Sequence, residues 1–345
     1  MNLKKTLLIA ASLSLVSLGT WELHCRWRGY KPLLEDDKYL WATQRAKVEN
    51  ASRNDVVLLG SSRVLFDIQL DEWEKKTGTR PIQLASAGAS PLPAFRDVVQ
   101  KTNFAGTVLV GVTPGLFFSS THPEAPPLAR TFNRINFYHS RTYAQQLNFW
   151  ISIPLEKSLA FLCRDEEEWA DDLNLKKLIS NIRIGNRIGE PEIPPFYRFA
   201  EIDLDRNVRM SERTATDTAF ANTVKRVWKF YSAYDKMTDR EATTAYFLED
   251  VKKFISRGGN LILLRCPSEG MYKEIEDEFQ PRKTHWDELL KSSGSKGYYY
   301  EDYPQLAGFH QPEWSHLSAT DARLFTRELV SIMQADGALS NAKSN

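Results

Sequence analysis

One short stretch constrains this chain most: Val56-Val57-Leu58-Leu59, running into Gly60-Ser61-Ser62-Arg63. A continuous apolar run that contains β-branched residues and is bounded by turn residues suits a strand buried on both faces of a parallel sheet. The glycine permits a sharp turn, so two hydroxyls arrive at the carboxyl end of the strand. Open α/β sheets bind their ligands at that edge. A hydroxyl placed there becomes a nucleophile when a base reaches it.

The same rhythm recurs downstream. Asp67 reads as the N-cap of a helix through Ile68, Leu70 and Trp73 that stops at Gly78. Residues 81–84 read as a second strand, followed by the small residues Ala85-Ser86-Ala87-Gly88-Ala89-Ser90, which allow close backbone approach. Residues 91–102 read as a helix and 106–112 as a third strand, ending in Thr113-Pro114-Gly115. Strands alternating with helices predict a doubly wound parallel sheet. The rhythm then breaks. From 119 to 242 strand signals are few, and Tyr138, Tyr143, Phe149, Trp150, Trp169, Phe196 and Tyr197 make the segment aromatic. It reads as a packed, largely helical insert rather than a sugar-binding platform, with a lid over the sheet edge as its functional alternative. Asp165-Glu166-Glu167-Glu168 reads as a solvated face. The alternation resumes with a helix over 245–256, a strand over 260–264, a helix over 283–290 and a strand over 297–300. Ser318-Ala319-Thr320-Asp321 is a capping box that opens a closing helix ending near Ala335. The polar tail 337–345 reads as disordered.

The N-terminus carries Lys4 and Lys5, then no charge from Thr6 to Trp21. That run has no polar face, is long for a signal peptide and lacks a small-x-small cleavage site. It reads as an uncleaved signal anchor, with a signal peptide as the alternative. Either places the rest of the chain outside the cytoplasm, in the periplasm or on the outer face of the cytoplasmic membrane. The expected divisions are residues 1–28 (anchor), 29–54 (membrane-proximal helical segment), 55–118 and 243–336 (the α/β domain), 119–242 (insert) and 337–345 (tail). A net charge of +1 over 345 residues gives no global argument for a nucleic-acid partner, and Lys225, Arg226 and Lys229 read as a solvated helix face. Cys25, Cys163 and Cys266 make an odd count. Cys266 reads as an inert core thiol, and a Cys163–Cys266 disulfide is left open. No Cys/His spacing suggests a metal site, and no cofactor is expected.

The candidate base is His316, in Glu313-Trp314-Ser315-His316 just before the last helix. The three-residue spacing lets one loop present an imidazole and the acid that orients it. With these blocks in place the chain resembles the SGNH/GDSL hydrolase superfamily. The resemblance implies a flavodoxin-like three-layer α/β/α fold over residues 55–118 and 243–335. It implies Ser62 as nucleophile, with Ser61 standing where the family has aspartate. Gly88 matches the position whose amide serves the oxyanion hole, beside the Ser62 amide. Thr113 occupies the place of the third block's asparagine, and Glu313 that of the last block's aspartate. Gly-Ser-Ser-Arg behind an N-terminal anchor is similar to extracytoplasmic bacterial proteins that work beside membrane-bound O-acyltransferases, as in alginate O-acetylation and teichoic-acid D-alanylation. The function implied is a serine esterase or O-acyltransferase on a cell-surface glycan, using Ser62, His316 and Glu313. Arg63 has two readings, a surface or helix-dipole contact and an anion or carboxylate contact that includes substrate. The alternative for the whole chain is a catalytically weak or inactive glycan-binding or scaffold component of an acylation complex, motivated by the replacement at Thr113.

Overall fold

The computed structural model describes residues 3–163, 179, 194–232 and 238–339. The first helix, α1, runs Leu3–Trp27. Its most apolar 18-residue window has mean hydropathy 1.5 and no buried residue, and the helix is long and apolar enough to cross a membrane. A linker leads to α2, Lys38–Lys47, capped by the Asp37 carboxylate. Trp41 on α2 is fully buried and donates its indole N–H to the Leu84 carbonyl at 3.0 Å.

Among the described residues seven strands follow in chain order: β1 Val56–Leu59, β2 Ile82–Gln83, β3 Thr107–Gly111, β4 Ala200–Ile202, β5 Val208–Met210, β6 Asn260–Arg265 and β7 Lys296–Tyr299. Five of them form one sheet in the order β2-β1-β3-β6-β7, parallel throughout. Leu58 pairs with Leu109, and Leu109 with Ile262, so the three central strands align their apolar runs side by side. Burial on both faces explains why these strands read as continuous apolar runs rather than alternating ones. The sheet grows outward in both directions from the β1/β3 pair, the doubly wound order 2-1-3-4-5. Its crevice opens at the carboxyl ends of those two strands.

That crevice is tightly built. Gly60 ends β1 and Gly111 ends β3. A Cβ on Gly111 would lie 2.1 Å from Val64 Cγ2, and one on Gly60 2.6 Å from the same atom. The short helix Ser62–Asp67 therefore sits directly on the strand ends. It packs with Ala319–Ala335, which also packs against Leu70–Thr77. A second helix group joins Leu92–Lys101, Arg240–Ser256, Pro126–Ser140 and α2.

Several expectations are corrected. Asp67 is not an N-cap: it closes the helix Ser62–Asp67, and Gln69 precedes the helix Leu70–Thr77. Its carboxylate is instead buried, accepting from the Leu317 N–H at 3.0 Å. Gly78 does end that helix in the left-handed conformation, φ 74°. In the capping box Ser318 accepts from the Asp321 amide, but the Asp321 carboxylate receives the Ser318 hydroxyl rather than its backbone N–H. A helix at Gly270–Phe279 was not foreseen. The tail expected from 337 is ordered at its start, since Ala338 and Leu339 are buried and the Ala338 carbonyl accepts from Asn260; residues 340–345 lie outside the described residues. Between β3 and β6 the described residues are largely helical, with Pro126–Ser140, Tyr143–Glu156 and Thr218–Ser232, but they also contain the antiparallel hairpin β4–β5. Trp169 and the acidic run at 165–168 lie outside the described residues. Cys25 and Cys266 are buried free thiols, and Cys163 is half-buried.

Candidate active site at the carboxyl edge of the sheet

Ser61 and Ser62 take different parts. Ser61, at the N-cap position, is buried and does not cap. Its hydroxyl meets the Thr113 hydroxyl at 2.7 Å, joining the end of β1 to the end of β3. Ser62 is the first helical residue and only half-buried. The loop after β2 lies against the same edge, since the Ser86 N–H donates to the Gly60 carbonyl at 3.0 Å. Gly88 in that loop has φ 64°, a conformation that costs glycine little. Arg206 holds the start of the loop, donating to the Gln83 and Ala85 carbonyls at 2.9 and 2.8 Å. Arg206 also pairs with Asp36 at 2.7 Å, and Arg134 joins the same carboxylate at 3.2 Å. Burial alone pushes the Asp36 carboxyl up, but the Arg134 and Arg206 guanidiniums outweigh it and hold the carboxyl well below its usual range.

The histidine loop is shaped by Trp314, which adopts φ 78°. A non-glycine residue there carries roughly 1–3 kcal/mol of strain, and persists only when its surroundings fix it. They do: the Trp314 carbonyl accepts from the Glu269 N–H, and Lys225 and Lys229 lie 5.0 and 5.3 Å from the centre of its ring. The turn at Trp314 lets Glu313 and His316 face each other. Glu313 Oε1 accepts from the His316 backbone N–H at 2.6 Å and meets Nδ1 at 2.9 Å. Its other oxygen accepts from Trp228 Nε1 at 2.5 Å. A carboxylate can only accept, so Nδ1 carries a proton, and the neutral imidazole presents its lone pair at Nε2. Nε2 is buried and has no hydrogen-bond partner.

The imidazole is walled by aromatic rings. It stacks on Phe66 at 4.2 Å, with Phe199 at 5.9 Å and Trp228 edge-on at 6.2 Å. Ser62 and Phe66 are one helical turn apart on the same face. The ring thus stacks on a residue one turn from Ser62, and no hydrogen bond joins Ser62 to His316. Trp228→Phe removes one of three donors to Glu313. We expect a loss of about 1.5–3 kcal/mol from the charge-assisted bond, read in thermal unfolding. An unchanged midpoint would show the bond to be incidental.

Beneath the site lies a buried ionic floor. Arg63 pairs with Glu276 at 2.8 Å, and Arg265 contacts the second oxygen of the same carboxylate. Arg63 thus makes a carboxylate contact, and the partner is internal. Burial pushes Glu276 up, but Arg265 and Arg63 bring it down to about 2. Asp67 shifts the opposite way. Burial raises it well above the usual range, Arg63 opposes this, and the Glu313 charge reinforces it. Burial likewise pushes the Cys266 thiol well up, which suits an inert core position. A carboxyl raised in the folded state weakens folding once pH exceeds the unfolded value of about 3.9. Asp67→Asn should therefore match or exceed the wild-type melting temperature at pH 7, with the gain vanishing below about pH 4. A marked loss at pH 7 would show that Asp67 is needed ionised.

Sequence reasoning singled out Ser62, Gly88, Thr113, Glu313 and His316, and all of them lie on segments at or beside this sheet edge. It missed Trp228, Phe66 and Phe199 around the histidine, and Glu276 below it. Trp228 follows Phe220, Ala221, Val224 and Val227 at helical spacing, which marks a core position but not an indole donor. Compared with protein-family models the chain matches none, and among curated proteins no match is found either.

Proposed function

We propose that this chain is a membrane-anchored, extracytoplasmic serine esterase or O-acyltransferase of SGNH type, acting on acyl groups of a cell-surface glycan beside a membrane-bound acyltransferase. The observation that carries the proposal is the His316 imidazole. Nδ1 is fixed by a carboxylate, Nε2 has no hydrogen-bond partner among the described residues, and the ring stacks on Phe66, one helical turn from Ser62. The long apolar helix α1 supports the anchor.

In this reading Ser62 Oγ attacks the acyl carbonyl carbon while Nε2 takes its proton. Glu313 stabilises the imidazolium that results. The amides of Ser62 and Gly88, with the Thr113 hydroxyl, receive the oxyanion. Collapse breaks the bond to the leaving alcohol, which takes the proton back from Nε2. Water or a glycan hydroxyl then attacks the acyl-serine by the same route in reverse. The test is to treat the full chain in detergent with a serine-reactive phosphonate and locate the adduct by peptide mass spectrometry. Modification at Ser62 supports the reading, and an unmodified, folded protein counts against it.

A second reading is favoured by one observation. Phe199 and Trp228 from the insert leave the His316 side chain 1% exposed, and no bond joins it to Ser62. A chain kept permanently in this closed state would serve as a glycan-binding or scaffold component. It would resist the phosphonate even with glycan or a membrane partner present.

A further inference from the structure

The helix Tyr143–Glu156 carries apolar side chains on two faces. Inward, Phe149 and Ile153 pack on Leu34 and Leu40, in the segment that follows α1. Outward, Tyr143, Leu147, Trp150, Ile151 and Leu155 are exposed, Tyr143 to 91% and the others to between 48% and 61%. At about 100° per residue these five span about 140° of the helix surface. Asn148 is the polar residue exposed within this helix, and no charged residue occurs before Glu156. Exposed apolar stripes of this size on a folded surface mark a contact.

The neighbouring contacts say with what. The turn after this helix is fastened to the end of α1. Glu22 accepts the Ala160 and Phe161 N–H groups, each at 3.0 Å, and Arg26 donates to the Ser158 carbonyl at 2.7 Å. Glu22 and Arg26 also pair with each other. On the same last turns of α1, Trp21 and Trp27 are exposed, as residues at a membrane–water interface are. The stripe is therefore continuous with the place where α1 would leave a bilayer. Arg141 before the helix and exposed Lys157 after it are placed to meet lipid headgroups. A sugar platform would need charged or hydrogen-bonding groups flanking the rings, and beside exposed Asn148 and half-buried Gln146 this face carries none but the Tyr143 hydroxyl.

We infer that Tyr143–Glu156 lies in the bilayer interface as an in-plane second membrane contact, its apolar stripe among the lipid acyl chains. This rests on the reading of α1 as an anchor. The test uses the full chain with Cys163→Ser, since Cys25 and Cys266 are buried. Single cysteines Leu147→Cys, Ile151→Cys, Leu13→Cys and Lys252→Cys carry an environment-sensitive fluorophore, and each protein is reconstituted in phosphatidylcholine vesicles. Unchanged thermal unfolding confirms that each variant is folded. The Leu147 and Ile151 probes should be blue-shifted, quenched by shallow spin-labelled lipid and protected from aqueous iodide. Lys252, exposed on Arg240–Ser256, should behave in the opposite way. Iodide quenching at Leu147 and Ile151 equal to that at Lys252, with Leu13 still shielded, overturns the in-plane contact and leaves the anchor intact. It would also point to a protein as the covering partner. Iodide quenching at Leu13 overturns the anchor, and this inference with it.

Discussion

Ser62→Ala should lower acyl-ester turnover by about 10⁶-fold, to the residual rate that binding and an oxyanion site alone sustain. The substitution removes one oxygen from a half-buried residue in the first turn of a helix. No bonded partner of the Ser62 hydroxyl is lost with it, so the melting temperature should stay within the small range of surface changes. This separation of activity from stability makes the experiment informative. His316→Ala should abolish turnover as well, but it also deletes a ring stacked on Phe66 and leaves Glu313 with one fewer donor. Its stability will fall, and it cannot stand alone as evidence. The measurement is kcat/KM for a chromogenic acetyl ester, with Ser61→Ala run in parallel. Ser61 binds Thr113 and lies off the proposed reaction path, so it should retain far more activity than Ser62→Ala. Equal rates for wild type and Ser62→Ala would end the catalytic proposal. Loss confined to Ser61→Ala would move the nucleophile by one residue.

The largest stability effect is expected at Glu276→Gln. Glu276 sits between two buried guanidiniums, with the Ser268 hydroxyl donating to it at 2.6 Å. Neutralising it leaves Arg63 and Arg265 buried without their counter-charge. Breaking a buried ion pair from one side costs about 3–5 kcal/mol. For a domain of this size that corresponds to a fall of roughly 10 °C in melting temperature. The same group gives the protein an acid limit. Its carboxyl is depressed in the folded state, so its contribution is present above the unfolded value and is lost as pH falls. The window runs from the ordinary glutamate value of 4.5 down to about 2. Differential scanning calorimetry across that range should show the wild type converging on Glu276→Gln. Parallel curves would mean that the two arginines are compensated elsewhere.

The parts of this fold that could be read from sequence were those in which one local rule decides. β1, β3 and β6 are continuous apolar runs because both faces of the central sheet are covered. The acid-x-x-histidine spacing was legible because one loop carries both groups. The hairpin β4–β5 was not, for two physical reasons. Its strands are three residues long, and its turn places Arg206 at φ 65° where glycine or asparagine would be the usual signal. Asp67 misled because a polar residue before an apolar run looks like a cap, whereas its partner is the Leu317 amide on a loop 250 residues away. The helix Gly270–Phe279 was hidden by its charge density, and its buried member is the acid Glu276 rather than an apolar residue. The aromatic enclosure of His316 joins Phe66, Phe199 and Trp228 from three separate elements, and only the assembled topology brings them together.

The knot at Asp36 has a consequence for reach. Asp36 lies nine residues beyond Trp27, the last residue of α1, and it is bound through Arg206 to the loop that bears Gly88. Nine residues, fully stretched, span about 30 Å. In an anchored chain the sheet edge therefore cannot swing outward on a flexible stalk, because the short strap ends on the arginine that holds the start of the Gly88 loop. Any acceptor would have to come within that height of the bilayer surface. Membrane-proximal stretches of a polymer could be served, while stretches carried farther out would pass beyond its working radius.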